Sequence, residues 1–259
     1  MKRRESAAVS ERNYPVVARI KELKSEHPFW GYRRIWAHLK YINGLEVNKK
    51  RILRLMQKHE LLVKPNTRLK AVRTLGKSKP RPTRPHEWWG IDMTKVMVEG
   101  FGWMYIVAVL DWYTKKIVGY YAGIEARSQH WLEALDDAVN HEFPDGVKNQ
   151  RLSLMSDNGS QPTSVAFMKS CREMGIKQAF TSYGNPKGNA DTERVFRTMK
   201  EELLWIREWR SPFELADALG KWVESYNRSY LHSALGYKSP IQFEKEYQNN
   251  QLTLLVAVD

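Results

Sequence analysis

Apolar positions change period along the chain. Before residue 60 they recur every three or four residues; between 88 and 124 they alternate or run together; beyond 128 helical and strand-like runs take turns. Pro15 to Ser25 reads as a helix, with Pro15 in the first turn and Val16, Ile20 and Leu23 on one face. His27-Pro28 breaks it. Gly31 to Lys40 predicts a second helix with Ile35, Trp36 and Leu39 inward. After an Asn43-Gly44 turn, Asn48 caps a third through His59, with Ile52, Leu55 and Met56 inward.

Trp88 to Val96, Trp103 to Asp111 and Lys116 to Ile124 read as strands. Gly100 and Gly102 mark the first turn, and such short connections require antiparallel pairing. Ser128 to Phe143 follows as a helix with Trp131, Leu132, Leu135 and Val139 at helical spacing. Next come a short strand from Leu152 into Ser156-Asp157-Asn158-Gly159, a helix over 163–174, a strand over 176–180 and a helix at Glu193. Ser211 to Tyr226 is amphipathic through Phe213, Leu215, Leu219, Trp222 and Val223. A polar stretch over 228–240 precedes a short helix over 241–247. The apolar tail, Leu252 to Val258, needs a partner, either the sheet or another protomer. The order of elements describes an α/β mixed sheet with flanking helices, preceded by a small all-α module.

At 259 residues, 42% hydrophobic and with ten Trp, the chain has room for a catalytic domain and a smaller module, and is not disordered. No run is long and apolar enough to span a bilayer, and no signal-peptide core follows the basic start. The single Cys171 excludes an internal disulfide framework and fits a reducing, cytoplasmic setting. The net charge of +13 is uneven. Residues 1–85 hold 23 Lys and Arg against 6 acids, hence +17; the rest holds 19 against 23, hence −4. A basic surplus confined to one third of the chain points to nucleic acid as the partner. Within it, Lys49, Lys50, Arg51 and Arg54 on the third helix suggest a helix-turn-helix-like reader. Lys64 to Pro85, rich in Lys, Arg and Pro and free of acids, reads as an extended linker.

Three acids stand where elements begin or end. Asp92 lies in the first strand, Asp157 just past a strand, and Glu193 opens a helix 36 positions later (193 − 157). Carboxylates that converge repel one another unless a cation neutralises them, and oxygen ligands suit Mg²⁺ or Mn²⁺. Seven steps of about 100° bring Lys200, with Arg197, near the face of Glu193, while Val195, Met199 and Leu203 face elsewhere. Each acid alone has a bland reading: a turn residue, a helix-start charge, a surface ion pair. Asp191 and Asp111 are nearby acids expected to cap a helix and to end a strand, not to bind metal.

Asp92, Asp157 and Glu193, with SDNGSQ, ADTERVFRTMKEE and YNRSYLHSALGYKSPIQFE in order, resemble the catalytic subunit (OrfB type) of bacterial insertion-sequence DDE transposases with a retroviral-integrase-like core. The likeness runs from about His27 to Glu244. It implies a ribonuclease-H-like catalytic core over 87–210, after a helix-turn-helix-like module over 1–64 and a linker over 65–86, with a helical extension over 211–259. It implies catalysis by Asp92, Asp157 and Glu193 holding two Mg²⁺ or Mn²⁺ ions, and cleavage and joining of double-stranded DNA at element ends and target. FWGYRRIWAHL is similar to the family's N-terminal module and adds Arg33 and Arg34 to the DNA contacts expected of Lys49, Lys50, Arg51 and Arg54. In integrases the loop before the catalytic helix touches DNA, which makes Lys187 a candidate beside Lys200 and Arg197; here Lys187-Gly188-Asn189 departs from the family's usual acid and asparagine. The resemblance further implies homo-oligomers on DNA, no membrane, and an upstream OrfA-type partner or fusion. The other readings are a ribonuclease-H-like nuclease that hydrolyses without joining, and a catalytically inactive DNA-binding regulator. His232 is expected to be structural.

Overall fold

Ile35, Leu39, Ile52 and Met56 are fully buried on the helices that their spacing predicts. The computed structural model describes residues 7–63, 80–181 and 188–256, divided into two units, Met1–Val72 and Arg73–Asp259. The first contains α1 (Ala7–Glu26), α2 (Tyr32–Tyr41) and α3 (Lys49–Lys58). They enclose one core, to which α1 supplies Val16, Ile20 and Leu23. The Asn48 side chain accepts from the Lys50 N–H at 2.8 Å, as an N-cap does. Two expectations change. Helix α1 already runs before Pro15, which sits inside it, at the cost of one backbone hydrogen bond. Trp36 is only half-buried, because its indole N–H donates to the Val47 carbonyl (2.7 Å) and Lys49 Nζ lies 4.2 Å from its ring centre.

The second unit is built on five strands in the order β3-β2-β1-β4-β5: β1 (Trp88–Val98), β2 (Gly102–Asp111), β3 (Ile117–Gly123), β4 (Ser153–Ser156) and β5 (Lys177–Phe180). The first three pair antiparallel; β4 and β5 add in parallel beyond β1. The β1–β2 turn places Gly100 and Gly102 at φ of 75° and 91°, which other residues adopt only with strain. Period-two alternation on β1 splits the core. Trp89 and Ile91 face α4 (Ser128–Glu142) and α5 (Val165–Glu173); Val96 and Val98 face α6 (Ala190–Met199) and α7 (Pro212–Ser229). The stretch expected as an extension thus gives α7 to this core, through Leu215, Leu219 and Val223.

Three features of this unit were not expected. A π turn, Lys200–Leu204, follows α6 and buries the consecutive Leu203 and Leu204 together. Phe213, expected on the apolar face of α7, is exposed at the helix start. The C-terminal region is a longer helix, α8 (Pro240–Val256), which takes in the tail from Leu252 and excludes its pairing as a strand; 257–259 lie outside the described residues. Most of the expected linker, 65–79, also lies outside them.

Candidate active site

The parallel pairing Trp88↔Ser153, Trp89↔Leu154, Gly90↔Met155 has an offset of 65 (153 − 88). The pairing ends there, two residues before Asp92 on β1 and two before Asp157, which follows β4. Asp92 shares the face of β1 that carries α6. Its carboxyl is pushed up to about 6, first by burial and then by the negative charges of Asp157 and Glu193; the Met93 N–H, donating at 2.8 Å, and the charge of Lys200 pull the other way. Acids separated by 101 positions (193 − 92) therefore act on one another in the fold. Asp157 Oδ1 accepts from the Gly159 N–H at 3.0 Å, and the turn is tied to the end of β5 by Asn158 Nδ2 donating to the Thr181 carbonyl at 2.7 Å. Glu193 sits in the first turn of α6, where the helix dipole favours an anion.

The neighbouring acids are engaged elsewhere. Asp191 pairs with Lys115 Nζ at 2.9 Å, where a helix cap was expected. Asp111, fully buried, accepts from the backbone N–H groups of His86, Tyr113 and Thr114 and organises the turn after β2. One polar cluster went unread in the sequence: His86, Glu142 and Glu244 present ligand-type atoms within 4.8 Å of one another. Lys116 Nζ already serves that cluster, 2.9 Å from Glu142 Oε1 and 2.8 Å from Glu244 Oε2. Burial works against its charge, yet the two carboxylates hold its pKa above the ordinary value. This partly buried ion-pair cluster fastens α8 to α4, and the Lys-Lys-Ile at 115–117 carried no sign that Lys116 serves it while Lys115 pairs with Asp191.

The candidate DNA contacts fall into two groups. Lys200 is half-buried beside Asp92, and Lys50 and Arg54 are exposed on α3. Others also contact groups of the chain itself, Arg33 and Arg197 from exposed positions. Arg197 pairs with Glu201 at 2.8 Å. Arg51 donates to Asn13 Oδ1 and the Arg12 carbonyl, both at 3.0 Å, so it holds α3 to α1. Lys49 lies over Trp36, Arg34 over Trp30 and Arg33 over Tyr32. Lys187 lies outside the described residues. His232 is packed against the rings of Tyr226 and Tyr230.

Also unread in the sequence is the packing at the foot of α6, where Trp112, Asn189 and Thr192 gather over Gly90. The signal was present, since a glycine inside a strand marks a close approach.

Three antiparallel strands extended by two parallel ones, with helices on both faces, make a ribonuclease-H-like fold. Residues 82–186 and 174–240 each match an integrase core domain, and 11–68 match an HTH-like domain. The chain is 30% identical to the transposase for insertion sequence element IS904 of Lactococcus lactis, over 95% of this chain and 99% of that one. It is 27% identical to the putative transposase InsK for IS150 of Escherichia coli, over 89% and 83%, and 28% identical to the putative transposase for IS986/IS6110 of Mycobacterium tuberculosis, over 84% and 82%. The chain belongs to the insertion-sequence transposases of the DDE class, polynucleotidyl transferases built on an integrase core domain. Among solved structures, a chain of the simian T-cell lymphotropic virus intasome in complex with PP2A regulatory subunit B56 gamma is similar in fold, with a TM-score of 0.51 and 15% identity over 87% of this chain and 74% of that one.

Proposed function

We propose that Asp92, Asp157 and Glu193 are the catalytic acids and together hold divalent cations, Mg²⁺ or Mn²⁺, two per site. The observation that carries this reading is the raised carboxyl of Asp92, whose causes include the charges of both other acids. Mutual repulsion of this kind is relieved by a cation, and a set of carboxylate oxygens without thiolate or imidazole fits a hard ion. Asp92, Asp157 and Glu193 would hold such ions, which would supply Lewis-acid chemistry at the attacking oxygen and at the leaving 3′ oxygen.

The chain's own residues do the rest. The Met93 N–H orients Asp92, and the Gly159 N–H orients Asp157. Glu193 stands at the start of α6 and Lys200 opens the π turn that follows it. Lys200 offsets the acidic charge and grips a phosphate of the strand being cut, where a fixed cation stabilises the developing negative charge. Water is the nucleophile for the first nick and a DNA 3′-hydroxyl for joining. The substrate is double-stranded DNA, element ends and target, bound by homo-oligomers in the cytoplasm, with residues 1–64 as the DNA-binding module and an OrfA-type protein as a further partner. Among the described residues no helix is long and apolar enough to cross a membrane.

The test is strand transfer with labelled duplex ends in Mg²⁺. Wild type should nick and join; Asp157→Asn should do neither, while folding and binding duplex DNA as before. Equal cleavage by the variant removes Asp157 from the site. Nicking by wild type without joining makes the chain a nuclease.

A further inference from the structure

Glu193 reaches Asp92 only if the start of α6 is held against β1, and the contact that holds it is buried and polar. Trp112 Nε1 donates to Thr192 Oγ1 at 3.1 Å, with both residues 1% exposed. Asn189 Nδ2 donates to the Ile91 carbonyl at 3.3 Å. Beneath them is Gly90. A Cβ at that position would stand 2.1 Å from Thr192 Oγ1, 2.3 Å from Trp112 Nε1 and 2.8 Å from Asn189 Oδ1. No side chain fits, so the three polar groups lie directly on the backbone of β1. Trp112 is itself tied to β1, its backbone N–H donating to the Trp88 carbonyl at 3.0 Å and its ring stacking on that of Trp88.

The positions of these residues in the chain give the contact its consequence. Gly90 and Ile91 immediately precede Asp92. Thr192 immediately precedes Glu193, and the Asn189 carbonyl accepts from the Glu193 N–H at 3.0 Å. The clamp therefore joins the two segments that carry two of the three acids. An apolar contact of the same size would bury the same area. It would tolerate sliding, because hydrophobic contact has no direction, whereas hydrogen bonds fix distance and angle.

We propose that Gly90, Trp112, Asn189 and Thr192 form a positioning clamp that sets Glu193 relative to Asp92 and thereby the affinity of the acidic site for divalent cations. This rests on the assignment of Asp92, Asp157 and Glu193 as cation ligands. The four residues touch neither substrate nor ion; they act through Glu193. Because Thr192→Val keeps the shape and removes the acceptor, a loosened clamp should weaken cation binding more than it weakens the fold.

The experiment measures Mn²⁺ binding to the full chain without DNA, from the electron paramagnetic resonance signal of free Mn²⁺, alongside melting with and without Mn²⁺. Thr192→Val should bind Mn²⁺ about tenfold more weakly and lose most of the melting rise that Mn²⁺ gives wild type. Thr192→Ser, which restores the hydroxyl, should bind within about twofold of wild type. If Thr192→Val does not fold, Trp112→Phe decides, since it removes the indole donor, together with part of the ring volume, and leaves Thr192 in place; it too should bind about tenfold more weakly, and its melting without Mn²⁺ reads the packing loss separately. Wild-type Mn²⁺ affinity in a folded Thr192→Val, or in Trp112→Phe where that variant must decide, overturns the clamp and leaves these residues as core packing. Glu193→Gln separates the two ideas. If it binds Mn²⁺ like wild type, the ligand assignment itself fails; if it loses binding while the clamp variants keep theirs, only the clamp fails.

Discussion

At Asp92 burial and charge work in the same direction. The folded chain holds this carboxyl near pH 6, against an ordinary 3.8. A folded-state pKa above the unfolded one means that the folded chain keeps the extra proton between those values. Stability from this group therefore falls as pH rises from about 4 to about 6. Asp92→Asn carries no charge, so in chelator at pH 7 it should melt above wild type, with the advantage gone below about pH 4. The gap corresponds to on the order of 3 kcal/mol before solvent relaxation. Identical melting curves at pH 7 would mean that neither burial nor the neighbouring acids disfavour the charge on Asp92. Lys200 is the opposite charge at the same place. Lys200→Ala should leave the melting temperature nearly unchanged and lower end cleavage and joining about tenfold or more, the loss of one charge-assisted phosphate contact. Lys169→Ala is the control: that lysine is exposed and pairs with Glu173 at 3.8 Å, and its removal should be silent.

Elements divide by whether one face or two meet the core. Helix α7 follows the spacing rule through Leu215, Leu219 and Val223, and a core leucine cut to alanine costs about 2–5 kcal/mol. Leu219→Ala should show that loss in chemical denaturation of the full chain, while Phe213→Ala, at an exposed position, should stay within about 0.5 kcal/mol. A small effect at Leu219 would mean that α7 is only loosely attached to the sheet. The π turn at Lys200–Leu204 shows where periodicity stops being informative. Two adjacent leucines must both go inward against Trp209 and α7, and the helix widens to let them.

For the whole molecule, charge is the long-range feature. The surplus of +17 over residues 1–85 predicts duplex binding that weakens steeply with salt, by a log–log slope of about −0.9 per neutralised phosphate. Lys50→Ala and Arg54→Ala should each make that slope shallower by about 1 with little change in stability. Arg51→Ala differs, because its guanidinium holds α1 through Asn13 and Arg12. It should lower the melting temperature of its unit and leave the slope nearly as it was. Affinity independent of salt would place the DNA surface elsewhere.

Reading the chain by period and punctuation is enough for the helices of the first unit, the antiparallel hairpins and the three acids, because backbone geometry and turn chemistry are local. Asp157, just past β4, and Glu193, in the first turn of α6, stand at element edges that local rules reveal, whereas Asp92 lies within β1. Their common electrostatic environment was not legible, since it depends on the register of β1 with β4 and on where α6 lands, and no local rule supplies either. The same limit hid the partners of Lys116, the engagement of Arg51 and the exposure of Phe213. Side-chain type says what a residue can bond to; only the fold decides which partner is within reach. Gly90 is the sharpest case. As a letter it is a weak point in a strand, and in the fold it is the gap into which Trp112, Asn189 and Thr192 close.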